Sequence, residues 1–336
     1  MNIDSTLLLT RDELKSLLTT ADYLETVEEA FLAHAEGRTL KPALMHVDAK
    51  VGEFHIKAGG IFLDRNFFAL KSNGGFFGNK ARYGMPPIQG VILLCDADNG
   101  YPLAIMDSTA ITIGRTAATT ALAARHLAVS DASVVTICGC GTQGTEHLRY
   151  ITEVRPIKKA FAWDATFERA VDFAGMMSAE LDITVEAVKE LGPAVLDSDI
   201  CITCTPSRIP FVHKEYLHPG LFIAAVGADS PEKHELDADV LKASMVVADL
   251  VEQCAHVGEL HHAIDAGMSV SAVCAELGEI VAGQKPGRQS DEDVIVFDAT
   301  GTALQDVAAA ARAFTRAVST GTGTRFDFFS RVELFT

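Results

Sequence analysis

Long apolar runs, clusters of positive charge, internal repeats and low-complexity segments are all missing from this 336-residue chain. No stretch reaches the roughly 18 uninterrupted apolar residues that a membrane-spanning helix needs, so none is expected. No Lys/Arg-rich run offsets a formal net charge of −17, which argues against nucleic acid or an anionic membrane surface as a partner. An anionic substrate would have to be held by a few local cations against that field. The segment Met1–Thr6 has no basic n-region, and Arg11-Asp12-Glu13 interrupts the apolar residues after it, so no signal peptide is expected. Cysteines are few and odd in number, seven in all. Cys201 and Cys204 have Cys-x-x-Cys spacing, but they lie in a β-branched run whose alternation sends the two side chains to opposite faces. Reduced, buried thiols and a cytoplasmic location follow as expectations. Gln253-Cys254-Ala255-His256 and the adjacent His261-His262 fit no common zinc spacing, so no metal is expected from them.

Hydrophobic residues make up 48% of the chain, and at this length they can bury a large core, expected as two domains. The most informative stretch is Val134–Gly144. A β-branched apolar run, which predicts a buried strand, ends in Gly139-Cys140-Gly141-Thr142-Gln143-Gly144, and an amphipathic segment, Thr145–Val154, predicts a helix. Gly139 permits a tight turn, Gly141 lets the backbone approach a pyrophosphate, and Gly144 lets the helix pack closely on the strand. The helix N-terminus then presents free N–H groups and a positive dipole end to phosphates. The next apolar segment, Lys159–Trp163, ends at Asp164, where a dinucleotide site needs a carboxylate for ribose hydroxyls.

Around this motif the pattern divides in two. Thr10–Glu13 predicts a capping box opening a short helix, and Asp22–Ala35 a second helix. Short apolar runs at 54–58, 67–71, 90–96 and 103–107 predict an antiparallel meander, with Asp98-Asn99-Gly100 turning the last hairpin. A helix is expected over Ile111–Ala128. Strands are expected at 133–138, 159–163, 182–185, 199–203, 221–226, 245–249 and 293–298, and a closing helix at Ala303–Val318. The fold class is therefore α/β: a doubly wound parallel Rossmann sheet over 116–300, plus a second α+β domain with an antiparallel sheet, built from 1–115 and 301–336.

Several segments carry a family resemblance. Gly100–Asp107, Ile111-Thr112-Ile113-Gly114-Arg115-Thr116-Ala117-Ala118, Val226-Gly227-Ala228-Asp229-Ser230-Pro231-Glu232-Lys233-His234-Glu235-Leu236 and Ala275–Ile280 are similar to the ornithine cyclodeaminase/μ-crystallin family, in the family's order over nearly the whole chain. The family holds cyclodeaminases, archaeal-type alanine dehydrogenases, ketimine and pyrroline-carboxylate reductases, and opine-type dehydrogenases. The resemblance implies a homodimer with a small-molecule substrate, and hydride exchange between NAD and the α-carbon of an amino or imino acid. It leaves open an amino acid dehydrogenase or imine reductase, a cyclodeaminase with catalytic NAD, and a non-catalytic ligand binder on the same scaffold.

The same resemblance implies roles for single residues. Lys71 falls at the family's substrate lysine and Asp229 at its catalytic aspartate. Arg115 is a carboxylate clamp, for which a planar guanidinium is suited, and Gln89 another substrate contact. Thr116, Thr142, Gln143, Thr205, Val226, Lys233 and Thr300 join the three glycines and Asp164 around the cofactor. One departure stands out. Many relatives carry an arginine shortly after the proline equivalent to Pro42, and here Leu44 occupies that place. Lys57, where many relatives are uncharged, is expected to replace it as the second clamp, with His55 on the same strand face near the substrate.

Asp164 should accept hydrogen bonds from the adenosine ribose and repel a 2′-phosphate, and no arginine follows it before Arg169. NAD is therefore expected to bind in preference to NADP. A titration in which NADPH binds as tightly as NADH overturns this.

Overall fold

The computed structural model describes residues 5–328; the expected domain's ends at 1–4 and 329–336, with the first residues of the signal-peptide argument, lie outside the described residues. The chain divides into two compact units, Met1–Arg115 with Thr302–Thr336, and Thr116–Gly301. Among the described residues no helix is long and apolar enough to cross a membrane.

The first unit is built on a seven-stranded sheet in the order β15-β1-β6-β5-β4-β3-β2. Its strands are β1 (Thr6–Leu9), β2 (Thr39–Ala49), β3 (Gly52–Phe62), β4 (Asn66–Gly75), β5 (Ile88–Asp96), β6 (Pro102–Asp107) and β15 (Thr324–Phe326). All neighbours pair antiparallel except β1 with β6. The meander is longer than the apolar runs suggest, and β2 is an addition to it. Lys41-Pro42 masks β2 in the sequence, because proline cannot donate to a sheet ladder. The strand accommodates it by lying at the sheet edge with a register shift between Leu40 and Ala43. Gly100, at φ +77°, turns the β5–β6 hairpin as expected.

One face of this sheet is covered by the helix Ala303–Thr320, whose alanines let it approach closely. A Cβ on Gly59 of β3 would stand only 3.1 Å from the Ala303 Cβ. Two capping boxes open the helices Arg11–Leu17 and Thr20–Ala35, at Thr10 with Glu13 and at Thr19 with Asp22. The opposite sheet face exposes Met45, Val47, Phe54 and Val91.

The second unit is a doubly wound, wholly parallel sheet of eight strands. Its strands are β7 (Val134–Cys138), β8 (Lys159–Trp163), β9 (Thr184–Ala187), β10 (Ile200–Thr203), β11 (Phe222–Ala225), β12 (Met245–Ala248), β13 (Val273–Glu276) and β14 (Ile295–Asp298). The order β13-β12-β14-β11-β10-β7-β8-β9 reverses direction between β7 and β10, the switch point where such sheets bind ligands. The expected strand at 182–185 starts later, because Asp182 takes a left-handed φ of 54° to end the helix Phe167–Leu181. The short β13 escapes a periodicity argument.

The glycine turn after β7 divides its labour clearly. Gly139 sits at φ +107°. Gly144 lies inside the helix Thr142–Val154, which begins earlier than its amphipathic pattern. A Cβ on Gly144 would fall 2.1 Å from the Gly139 carbonyl oxygen and 3.0 Å from the Ile137 Cγ2. At Gly141 the nearest atom to an added Cβ is the Arg169 Nη2, 3.7 Å away. Gly144→Ala should therefore lose about 2 kcal/mol of stability in urea denaturation, the usual scale of overpacking, and Gly141→Ala should stay close to wild type. Equal stability of the two variants would refute the close-approach account.

Candidate active site

In the first unit the sheet register places Lys57 of β3 directly opposite Lys71 of β4, on the face that the helix Ala303–Thr320 covers. Both lysines are buried, as is Arg115 in the helix Ser108–Leu127. Asp306, also buried, joins them. Its Oδ2 lies 2.6 Å from the Lys71 Nζ, and its Oδ1 accepts from the Arg115 Nε at 2.9 Å. Arg115 donates a second bond to the Gln305 Oε1 at 2.8 Å, and Lys71 one to the Thr112 Oγ1 at 3.3 Å. Burial, helped by the nearby charges of Arg115 and Lys57 and opposed by Asp306, brings the Lys71 ammonium down to about 7. The Asp306 carboxyl is held below the usual carboxylate range: burial works against its charge, and Lys71 and Arg115 outweigh it.

Asp306 and Gln305 were not singled out from the sequence. The available signal was a carboxylate and an amide in an otherwise alanine-rich helix that is buried almost all round. Leu44 is the direct cross-strand partner of Lys57. His55 lies one step further along the same face of β3, and its Nε2 is 3.1 Å from a Glu53 carboxylate oxygen. Gln89 does not join this group. It pairs with Gly74, which by alternation puts it on the opposite face with Phe54, Ser72 and Val91, and its amide lies 3.4 Å from the Pro86 carbonyl.

In the second unit most of the remaining candidates lie on loops or helix starts that follow the parallel strands, with Thr116 on the helix Ser108–Leu127. No side chain caps the helix after Gly141, so its first turn is open to an anion. The Gln143 Oε1 is buried with no hydrogen-bond partner. Asp164, ending β8, accepts from the backbone N–H groups of Cys140 and Thr166 at 3.0 Å each, and the Arg169 Nε is 3.9 Å away. Thr116 opens this unit, half-buried in the helix Ser108–Leu127. Val226 follows β11, its N–H on the Thr203 carbonyl, and the loop continues to Asp229, which is ion-paired with Lys233. Thr300 follows β14, donating to Asp249 and accepting from the Gln253 amide. The chemistry available here is that of a dinucleotide cradle: uncapped helix N–H groups, a ribose carboxylate, and space at Gly141 that a Cβ would fill.

A series of buried carboxylates, also missed from sequence, shapes these loops. Glu235 accepts from the Thr205 N–H and hydroxyl at 2.6 and 2.7 Å, from the Thr203 hydroxyl at 2.7 Å and from the Gly227 N–H at 2.9 Å. Glu259 accepts from the N–H groups of Glu235 and Leu236, and Asp298 from those of Glu259 and Leu260. Burial raises all three, with Asp298 reaching about 7. Thr205 is thus engaged by Glu235. The Cys201 and Cys204 thiols are free and unbridged, Cys201 standing 4.0 Å from the Cys138 sulfur.

The sequence profile of the ornithine cyclodeaminase/mu-crystallin family matches residues 4–321. Alanine dehydrogenase of Archaeoglobus fulgidus is 35% identical over 325 residues, covering 96% of this chain and 99% of its own. A structure of an archaeal alanine dehydrogenase dimer with bound NAD superposes with a TM-score of 0.92 at 35% identity, covering 97% of this chain and all of that one. Δ1-Pyrroline-2-carboxylate reductase of Thermococcus litoralis, in complex with NADH and L-proline, gives a TM-score of 0.90 at 31% identity, covering 96% and 100%.

Asp306→Asn keeps the shape and removes the charge, leaving Lys71 and Arg115 buried beside a neutral amide. Breaking a buried ion pair from one side usually costs about 3–5 kcal/mol, and a loss of that size is expected in urea denaturation. Without the carboxylate the Lys71 ammonium is harder to keep charged, so the ionisation near 7 should move to lower pH in the kcat/KM profile. Wild-type stability in this variant would show that the cluster does not depend on Asp306.

Proposed function

This chain belongs to the ornithine cyclodeaminase/mu-crystallin family, and on that premise we propose that it is an NAD(H)-dependent enzyme of amino or imino acid metabolism, exchanging a hydride at the substrate α-carbon. The observation that carries this is the buried trio Lys57, Lys71 and Arg115 around Asp306. Cations are taken out of water at a large cost unless anions answer them. A substrate carboxylate, laid against these three, is the complement that an α-amino or α-imino acid brings. Lys57 is the second clamp: it is buried, it faces Lys71 across the β3–β4 pair, and it is the cross-strand neighbour of Leu44. It therefore offers a charge beside Leu44, where the family resemblance implies an arginine.

The dinucleotide would lie with its pyrophosphate on the N–H groups of Thr142, Gln143 and Gly144, over Gly139 and Gly141, and its adenosine ribose on Asp164. Thr116, Thr205, Val226, Lys233 and Thr300 complete its surroundings. When bound, the nicotinamide supplies or takes the hydride. Asp229 is the group that takes and returns the proton of the substrate nitrogen. Its match to the family pattern and its place beyond β11 support that role, and Lys233 is ion-paired with it. Lys71, near 7, is balanced between clamp and proton carrier at neutral pH. The exposed apolar residues Met45, Val47, Phe54 and Val91 support a homodimer joined through the outer face of the antiparallel sheet, as the dimeric archaeal relative suggests. A cytoplasmic location fits seven free thiols.

Incubation of the purified protein with NAD and a panel of α-amino acids, and with NADH and α-imino acids, tests the proposal. Stoichiometric NADH, or NADH consumed with an imine, is the expected outcome. Ammonia release without net NADH would make it a cyclodeaminase, and ligand binding without turnover would make it a binder. Lys57→Met should lose on the order of 2–4 kcal/mol of transition-state stabilisation in kcat/KM. Unchanged kinetics would reject Lys57 as the clamp while leaving the family assignment intact.

A further inference from the structure

Beyond the helix-covered part of the antiparallel sheet, the β2–β3 hairpin carries a second group of polar side chains on one face. The register pairs His46 with His55 and Asp48 with Glu53. In a strand, residues two apart share a face, so these four form a square of donors near the hairpin tip. The His46 Nε2 lies 3.5 Å from one Glu53 oxygen, the His55 Nε2 lies 3.1 Å from the other, and the Asp48 Oδ1 lies 3.1 Å from the His46 Nε2. One ligand atom from each of His46, Glu53 and His55 can be chosen so that all lie within 4.8 Å of one another. The two imidazoles meet edge to face, with centroids 4.6 Å apart.

We propose that His46, His55 and Glu53 form a binding site for a divalent transition-metal ion of the zinc type. A tetrahedral zinc with bonds of about 2.1 Å spaces its ligand atoms roughly 3.4 Å apart, and each imidazole already has one Glu53 oxygen near that spacing, the His55 Nε2 at 3.1 Å from one oxygen and the His46 Nε2 at 3.5 Å from the other. Two imidazoles and a carboxylate form a donor set suited to zinc and unsuited to calcium or magnesium, which prefer oxygen. The three side chains are only 13–27% exposed. They sit on adjacent strands of a regular hairpin, so little rearrangement is needed for their atoms to converge. The fully exposed end of the set, Asp48, can close the fourth position from solvent. The charges favour a cation: Glu53 belongs to the group and Asp48 lies 3.1 Å from the His46 Nε2, on a chain with a net charge of −17. Bound there, the ion would clamp the edge strand β2 to β3, the strand that carries Lys57. This site does not rest on the proposed activity, and its test does not use it.

The protein is stripped with EDTA, dialysed, and titrated with Co2+ and then Zn2+ alone. Cobalt reports its ligands by colour: nitrogen and oxygen ligation gives visible bands, whereas thiolates would add a near-ultraviolet charge-transfer band and expose binding by the free cysteines instead. One Co2+ per chain without the thiolate band, displaced by Zn2+, is expected. Affinity should fall at least about 100-fold in both His46→Ala and Glu53→Gln, since even outer-shell partners of a metal contribute 10–100-fold. Zinc should also raise the Tm of the wild type and leave that of His46→Ala unmoved. Absence of uptake by the wild type at millimolar metal, a thiolate band, or wild-type affinity in variants that retain wild-type circular dichroism would each overturn the proposal.

Discussion

Asp306 is the anion around which the first unit is assembled. It lies on the helix Ala303–Thr320, its partner Lys71 on a central strand, and its partner Arg115 on the helix Ser108–Leu127. A carboxylate so fully buried would be intolerable alone, and so would either cation. Each makes the others possible, and so three elements distant in sequence are fixed in one arrangement. The alanines around Asp306 serve the same end. Small side chains bring the helix close to the sheet, as the near contact of Gly59 with Ala303 shows, and short separations strengthen every charge interaction in a medium that screens weakly. The result is a group of cations whose positions are set before any substrate arrives, which is how an electrostatic site avoids reorganising when it is used.

The second unit solves a related problem with backbone groups. Loops at the carboxyl edge of a parallel sheet leave N–H groups that must be satisfied. Glu235, Glu259 and Asp298 satisfy them in succession, each accepting from the main chain of the next loop. Glu235 alone ties the end of β10 to the turn after β11, at Gly227, where an added Cβ would fall 2.3 Å from the Thr205 carbonyl oxygen. Loops that would otherwise be mobile are thereby held beside the glycine turn. Burial lifts these carboxyls towards neutrality, so their hold on the loops rests on dense hydrogen bonding more than on net charge.

What could be read from the sequence follows how local each signal is. The glycine turn, the Thr10–Glu13 capping box and the Asp98–Gly100 hairpin are each determined by a few adjacent residues, and they stand where the sequence puts them. Lys71, Lys57 and Arg115 were legible as candidates, but their convergence was not. It depends on a register between strands and on Asp306, which is far away along the chain. Gln89 shows the same limit from the other side: one step of register decides which face a strand residue serves, and that step is invisible in composition. Pro42 hid an edge strand because proline argues against a strand everywhere except at an edge. The buried carboxylates were illegible for a further reason. An acidic residue in a loop is usually solvated, and only the closure of neighbouring loops over Glu235 and Glu259 reveals them as structural.

A carboxylate clamp that uses a lysine differs from one built of arginines in more than the origin of a charge. An arginine is protonated at any pH a protein meets and grips a carboxylate with two parallel bonds, whereas a lysine is a point charge that can lose its proton when buried. Here the two lysines face each other across adjacent strands, and Lys57 is among the groups that lower Lys71. A carboxylate placed beside Lys71 would draw it back towards the charged form, because an anion within a few ångströms favours an ammonium. An anion bound beside Lys71 would then be linked to proton uptake by the Lys71 amine. A site closed by two arginines could bind the same carboxylate but could not take up a proton in doing so. A carboxylate clamp that included Lys71 would therefore be part of the proton inventory of the site.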